Sequence, residues 1–168
     1  MNIKNKPFII GIMGSRKGDH AVMEEAKRLG KAVAQRGYVL VTGGGPGVMK
    51  AASEGAHLAG GLVIGILPND RTRPLEGYPN EYVDIPVYTG MSDARNAINA
   101  RTPHVVVALS GGAGTVSEIA LALKAGTPVI SLRGPSLEVP DCYDYIVVDT
   151  VEDVLAEIDK RIGMLKGC

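Results

Sequence analysis

The sequence predicts a doubly wound α/β fold: one domain over residues 1–168, built as a parallel sheet in three layers, α/β/α. Three observations carry this reading. Short apolar runs alternate with segments of helical period along the chain. The runs are apolar at successive positions rather than at every second one, as befits strands covered on both faces. Several of them end in glycine clusters that lead straight into a helical segment, the form of a strand-to-helix turn.

The elements follow in order. Residues 8–13 read as a short buried strand ended by Gly14. Over 20–36 the apolar residues Val22, Ala26, Leu29 and Val33 fall on one helical face, with Asp19 placed to cap the helix and Gly37 to end it. A strand over 38–41 precedes a glycine-rich turn, and a helix of small residues over 48–59 stops at Gly60 and Gly61. A third strand covers 62–67. Residues 68–80, rich in proline, glycine and charge, read as an excursion loop. A weaker strand over 82–87 and a short helix over 92–100 lead to the plainest strand, 104–109. A helix over 115–124, strands over 128–132 and 145–148, and an amphipathic helix over 151–165 complete the chain.

Composition narrows the function. Lys plus Arg and Asp plus Glu both number 18, so there is no basic excess to draw a nucleic acid or an anionic membrane. One phenylalanine, six tyrosines and no tryptophan leave no platform for stacking bases. Two cysteines, Cys142 and Cys168, do not make a disulfide scaffold, and His20, His57 and His104 lack metal-ligand spacing, so no metal is expected. Residues 1–6 show no signal-peptide pattern, and the charge-free stretch 102–117 is broken by glycines and too short for a bilayer. The expected compartment is the cytoplasm.

In such a sheet, ligands bind beyond the carboxyl ends of the strands. Three turns have the right character there: Gly14-Ser15-Arg16-Lys17-Gly18, Thr42-Gly43-Gly44-Gly45-Pro46-Gly47 and Ser110-Gly111-Gly112-Ala113-Gly114-Thr115. Glycine admits a ligand close to backbone amides, and the helix start behind it favours an anion, so the expected partner is a small phosphorylated ligand. None of the turns fits the phosphate loop of nucleotide triphosphatases. NAD is disfavoured, because the second strand ends at Thr42 without an acidic residue for a ribose hydroxyl. Arg95 can grip a phosphate or carboxylate, or else pair with Asp93 or a helix carbonyl. Asn96 can donate to a ligand or face solvent. Thr115-Val116-Ser117-Glu118 fits a capping box, yet a carboxylate beside an anion cradle also suits acid–base or electrostatic work. Arg16 and Lys17 are lesser phosphate candidates, and His57 and His104 read as structural. No nucleophile elbow occurs.

Taken together, these residues resemble the LONELY GUY superfamily, whose members are often labelled lysine decarboxylase-like. The likeness runs from about Ile9 to Ile130, through Gly14-Ser15, Gly43-Gly44-Gly45-Pro46-Gly47-Val48-Met49 and Gly111-Gly112-Ala113-Gly114-Thr115-Val116-Ser117-Glu118. It implies a Rossmann-like fold and a homo-oligomer, dimer or tetramer. The best-known activity of that family is hydrolysis of a nucleoside 5′-monophosphate to free base and ribose 5-phosphate. Carried over, Arg95 and Glu118 are the catalytic pair, no cofactor is required, and the glycine turns with Ser15, Arg16, Thr42, Val48, Met49, Asn96 and Thr115 form the phosphate cradle.

The chain departs from that pattern. Ser110 stands where the motif has proline, Ala113 where it has an aromatic, and Ser117 where it has the first of two glutamates. Met91-Ser92-Asp93-Ala94-Arg95-Asn96 lacks the family's histidine and lysine. These segments are similar instead to a sister branch that includes the molybdenum cofactor carrier proteins, which implies binding of a nucleotide, a phosphate or the molybdenum cofactor rather than cleavage. The two expectations are a carrier for a phosphorylated nucleotide-like ligand and, as the alternative, a phosphoribohydrolase. A fainter likeness, over Gly14-Ser15-Arg16 and the triple glycine, points to DNA-processing protein A, against which the neutral charge argues. A true lysine decarboxylase would need pyridoxal phosphate on a lysine, and no lysine here has a context for it.

Overall fold

The computed structural model describes residues 6–167; Cys168 and residues 1–5, which enter the disulfide and leader expectations, lie outside the described residues. In chain order the elements are β1 (Ile9–Gly14), α1 (His20–Gln35), β2 (Val39–Thr42), α2 (Val48–Leu58), β3 (Val63–Leu67) and β4 (Ile85–Tyr88). A 3-10 turn (Ser92–Arg95) then runs into α3 (Asn96–Arg101). The chain continues through β5 (Val105–Leu109), α4 (Ala113–Lys124), β6 (Val129–Leu132), β7 (Tyr145–Val148) and α5 (Val151–Lys166). All strand pairs are parallel, in the order β4-β3-β2-β1-β5-β6-β7. The sheet is doubly wound, and the chain reverses its direction of growth between β1 and β5, where a crevice opens at the strand ends.

The alternation of side chains along the strands divides the core in two. Ile10, Ile12, Leu40, Val105, Val107 and Leu109 pack under α1, α2 and α5. Met13, Val41, Ile66, Val106 and Ala108 face α3 and α4 on the other side. Strands feeding both layers must be apolar throughout, which is the pattern seen in the sequence. The predicted α1 face of Val22, Ala26, Leu29 and Val33 is buried. Asp19 Oδ1 accepts from the Val22 N–H at 2.9 Å, and Gly37 follows the helix with φ +72°. No helix among the described residues is long and apolar enough to cross a membrane.

Most element ends fall within one residue of expectation, and three elements depart further. β4 starts at Ile85 rather than 82, because Asp84 is occupied before the strand begins: its Oδ2 accepts from the Val63 N–H at 2.8 Å and its Oδ1 meets His57 Nδ1. The helix expected over 92–100 divides into the 3-10 turn and α3, and its entry at Ser92 lies in the left-handed region at φ 50°. α4 starts at Ala113 with Gly112 as its cap residue, two residues earlier than expected. His104 Nδ1 accepts from the Ile9 N–H at 3.0 Å, which ties the entrance of β5 to β1.

Helices α1 and α2 meet backbone to backbone. A Cβ added at Gly30 would overlap the Ala52 carbonyl oxygen, and one at Gly55 would overlap that of Lys27. The usual helix-stabilising effect of alanine is therefore reversed at this crossing. Gly30→Ala should destabilise the protein by about 2–3 kcal/mol in chemical denaturation, since the helices must separate. Gly163→Ala, on α5 where a Cβ meets nothing within 4 Å, should instead stabilise by up to ~1 kcal/mol.

Candidate functional site

At the β1/β5 crevice lies a cavity of about 260 Å³. β1 and the turn after it supply Met13, Gly14, Ser15 and Arg16; the next turn and α2 supply Gly43 and Met49. The excursion loop contributes Tyr78, the 3-10 turn and α3 contribute Asp93, Arg95 and Asn96, and α4 contributes Gly112, Gly114, Thr115 and Glu118. Five separate stretches of chain thus converge on one space.

The first turn is rigid. Ser15 N–H donates to the Ser110 carbonyl at 2.9 Å, and Val48 N–H donates to the Ser15 carbonyl at 3.0 Å, so the turns after β1, β2 and β5 are stitched together. Ser110 adopts φ +43°, a backbone conformation closed to proline, whose ring fixes φ near −65°. The serine in place of the motif's proline therefore changes the shape of the turn as well as its chemistry.

Arg95 is only 7% exposed although it is charged. Its Nη1 donates to the Gly43 carbonyl at 2.5 Å and also to the Ile66 carbonyl, joining the ends of β2 and β3. It pairs neither with Asp93 nor with a helix carbonyl. Its Nε is buried and has no partner among the described residues. The guanidinium carbon lies 5.8 Å from the centre of the Tyr78 ring.

Glu118 is equally buried, and the capping-box expectation fails for it. Because α4 begins at Ala113, Thr115 lies inside the helix and cannot be its cap. Glu118 Oε1 instead accepts from Asn99 Nδ2 at 2.9 Å. Burial pushes its carboxyl above the ordinary range, while the Asn99 amide and the nearby Arg95 charge pull the other way. Beside it, Asn96 Nδ2 donates to Ser117 Oγ at 3.0 Å, and that hydroxyl donates to the Gly114 carbonyl at 2.7 Å. Asn96 and Ser117, which stand where the LONELY GUY pattern has its lysine and first glutamate, are thus partners in space through a neutral hydrogen bond.

The glycines fall into two groups. Gly43, Gly45 and Gly47 make room for the protein itself: a Cβ there would strike Arg95, the Tyr78 ring and the Arg16 backbone, respectively. Gly44 lies against Leu67, and Gly111 against Thr115. Gly112 and Gly114 are different, for a Cβ at either would meet nothing within 4 Å, and both face the cavity. Neither α2 nor α4 has a side-chain cap at its start.

Of the residues expected to bind a ligand, Gly14, Ser15, Arg16, Gly43, Met49, Asn96, Gly112, Gly114 and Thr115 stand on the cavity wall with Arg95 and Glu118. Thr42, Gly44, Gly45, Gly47, Val48 and Gly111 do not. Thr42 and Val48 are fully buried, and Thr42 Oγ1 accepts from the Gly44 N–H at 3.1 Å and meets Ser53 Oγ. The glycine-rich turn after β2 is thus largely consumed by packing. Sequence reasoning missed Met13, Tyr78 and Asn99, and weighed Asp93 only as a partner for Arg95. Met13 and Tyr78 line the wall without any local motif, and Asn99 could have been found only as a polar residue on the apolar face of α3. Among the described residues no group of three or more His, Cys, Asp or Glu could hold a metal ion.

Solved structures share this architecture. The molybdenum cofactor binding protein of the phototrophic bacterium Rippkaea orientalis matches at TM-score 0.83 and 38% identity, over 94% of this chain and 98% of that one. The molybdenum cofactor carrier protein of Chlamydomonas reinhardtii matches at TM-score 0.80 and 36% identity, over 94% and 99%. Rice cytokinin riboside 5′-monophosphate phosphoribohydrolase LOG is 38% identical over 109 residues, which are 63% of this chain and 44% of the enzyme. The chain thus aligns with less than half of the rice enzyme's length. Helicobacter pylori DNA processing protein A, at 19% identity and TM-score 0.70, shares the fold alone. The model of the SLOG cluster4 family matches residues 7–161, and with these relatives beside it the chain belongs to that family, on the molybdenum cofactor carrier side of the LONELY GUY-like superfamily.

Proposed function

We propose that the protein is a cytosolic carrier that holds a phosphorylated, nucleotide-like ligand in this cavity, with the molybdenum cofactor as its cargo. The observation that carries the reading is the pair Gly112 and Gly114. Neither is needed by packing, and both leave open space at the uncapped start of α4, where backbone N–H groups and the helix dipole favour an anion. A phosphate there has Arg16 and Arg95 on the same wall. The ring system of the ligand would extend toward Glu118, whose carboxyl is fixed by Asn99 and can exchange hydrogen bonds with ring nitrogens. Lacking a cluster of metal ligands among the described residues, the site would grip the organic part of the cargo. The likeness to two proteins described as binding or carrying that cofactor supports the reading.

One observation favours the second reading, a nucleoside 5′-monophosphate phosphoribohydrolase: Arg95 and Glu118 stand on the wall of the same cavity. A carboxylate there could stabilise an oxocarbenium-like ribose while the phosphate clamp supplies binding energy. Asn96 and Ser117, in place of the lysine and first glutamate of the hydrolase pattern, weigh against turnover. We also propose a homo-oligomer, supported by the exposed apolar Ile85 and Val87 on the edge strand β4. Light scattering should show a dimer or tetramer, and a monomer would count against it.

The deciding experiment incubates purified protein with a panel of nucleoside monophosphates and, separately, with molybdenum cofactor. Retention of the pterin through gel filtration without release of free base is the expected result. Base release that disappears in Glu118→Gln would make the protein a hydrolase. Gly114→Ala should weaken ligand affinity about tenfold or more by filling the cradle, while leaving stability unchanged or up to ~1 kcal/mol higher.

Glu118 also sets a pH dependence. Its folded-state carboxyl titrates above the ordinary range, so the unfolded chain releases the proton first as pH rises. Its contribution to stability is therefore most favourable at low pH and declines through the interval between the ordinary and the raised values. In urea denaturation followed from about pH 4 to about pH 8, Glu118→Gln should gain stability relative to wild type as pH increases.

A further inference from the structure

The excursion loop delivers one aromatic side chain to the cavity wall, and it has no counterpart in the motifs of the sequence. Tyr78 is 7% exposed and lies over Gly45, where a Cβ would collide with its ring. Two residues on, Asn80 pins the loop to the same glycine turn: its N–H donates to the Gly44 carbonyl at 2.8 Å and its Nδ2 to the Gly45 carbonyl at 2.9 Å. The Tyr78 hydroxyl is buried and without a hydrogen-bond partner among the described residues, so the contacts of this side chain are those of its ring. What the ring does touch is charge. The Arg16 guanidinium carbon lies 5.4 Å from its centre and that of Arg95 lies 5.8 Å away.

Arg16 is exposed, and among the described residues it has neither a carboxylate partner nor a side-chain hydrogen bond. Its backbone is clamped, since Gly47 packs directly against it and Ser15 bonds to both neighbouring turns. Its side chain is anchored by the Tyr78 ring. Both guanidiniums thus approach one ring and line one cavity, where like charges favour the entry of an anion.

We infer that Tyr78 is a positioning residue for anion recognition: its ring holds Arg16 on the cavity wall that Arg95 also lines, so that both cations serve the phosphate end of a ligand. This rests on the proposal that the cavity takes a phosphorylated ligand. Tyr78 acts through its ring and not its hydroxyl. The excursion loop is accordingly a fixed wall of the site.

The test compares ribose 5-phosphate with ribose by titration calorimetry on wild type, Tyr78→Phe, Tyr78→Leu, Arg16→Ala and the double variant Tyr78→Leu/Arg16→Ala, each first shown to be folded by circular dichroism. Wild type should prefer the phosphorylated sugar. Tyr78→Phe should keep that preference within about twofold, because the ring remains. Tyr78→Leu and Arg16→Ala should each lose about tenfold of it, and the double variant no more than either alone, as expected for residues acting as a unit. An unchanged preference in Tyr78→Leu, an equal loss in Tyr78→Phe, or additive losses in the double variant would overturn the positioning role while leaving phosphate recognition standing. A wild type that binds both sugars alike, or neither, would overturn phosphate recognition and this role with it.

Discussion

The site hangs on the buried guanidinium of Arg95. A full charge that is only 7% exposed must be compensated, and here two backbone carbonyls, of Gly43 and Ile66, do so. Those carbonyls lie at the carboxyl ends of neighbouring parallel strands, while the arginine comes from the 3-10 turn that follows β4. One side chain thereby fixes the spacing of three stretches of chain. It also places a positive charge near the buried carboxyl of Glu118, which Asn99 holds from the next turn of α3. Remove that bond set and the crevice loses both its shape and its electrostatics.

Glycine serves two distinct purposes around this arginine. In the turn after β2 its lack of a side chain is used by the protein: Arg95, Tyr78 and the Arg16 backbone each occupy a place that a Cβ would deny them. At the start of α4 the same lack leaves space that nothing in the described chain fills. Only the second kind leaves open space on the cavity wall. The distinction matters because a cluster of three successive glycines is the more conspicuous in the sequence, yet it is the less exposed to the cavity.

The balance of charge on the wall follows from one coupled exchange. Asn96 and Ser117 hydrogen-bond across the α3–α4 contact and close a short chain that ends on the Gly114 carbonyl. A neutral pair needs no counter-charge and holds the start of α4 in place without adding to the field in the cavity. Arg95 and Glu118 thus stand beside a pair that is uncharged.

How much was legible in the sequence depended on the range of the interaction. The sheet, the order of its elements, the α1 face and the Asp19 cap were all readable, because burial on two faces and helix capping act over a few residues. Arg95, Glu118, Gly112 and Gly114 could be singled out for the same reason, each sitting at a turn whose local chemistry is distinctive. Thr115-Val116-Ser117-Glu118 misled, since a capping box and an interior helical stretch share the same letters, and the choice was made by a helix that starts at Ala113. Tyr78 and Asn99 had no local signal at all, and the inward turn of Thr42 toward Ser53 had none either. The sequence by itself thus determined the fold and the turns that border the crevice at the strand ends. Which glycines face the cavity, which charges share a ring and which carboxyl is buried were decided by the tertiary structure, because those outcomes depend on volumes and fields contributed by segments far apart in the chain.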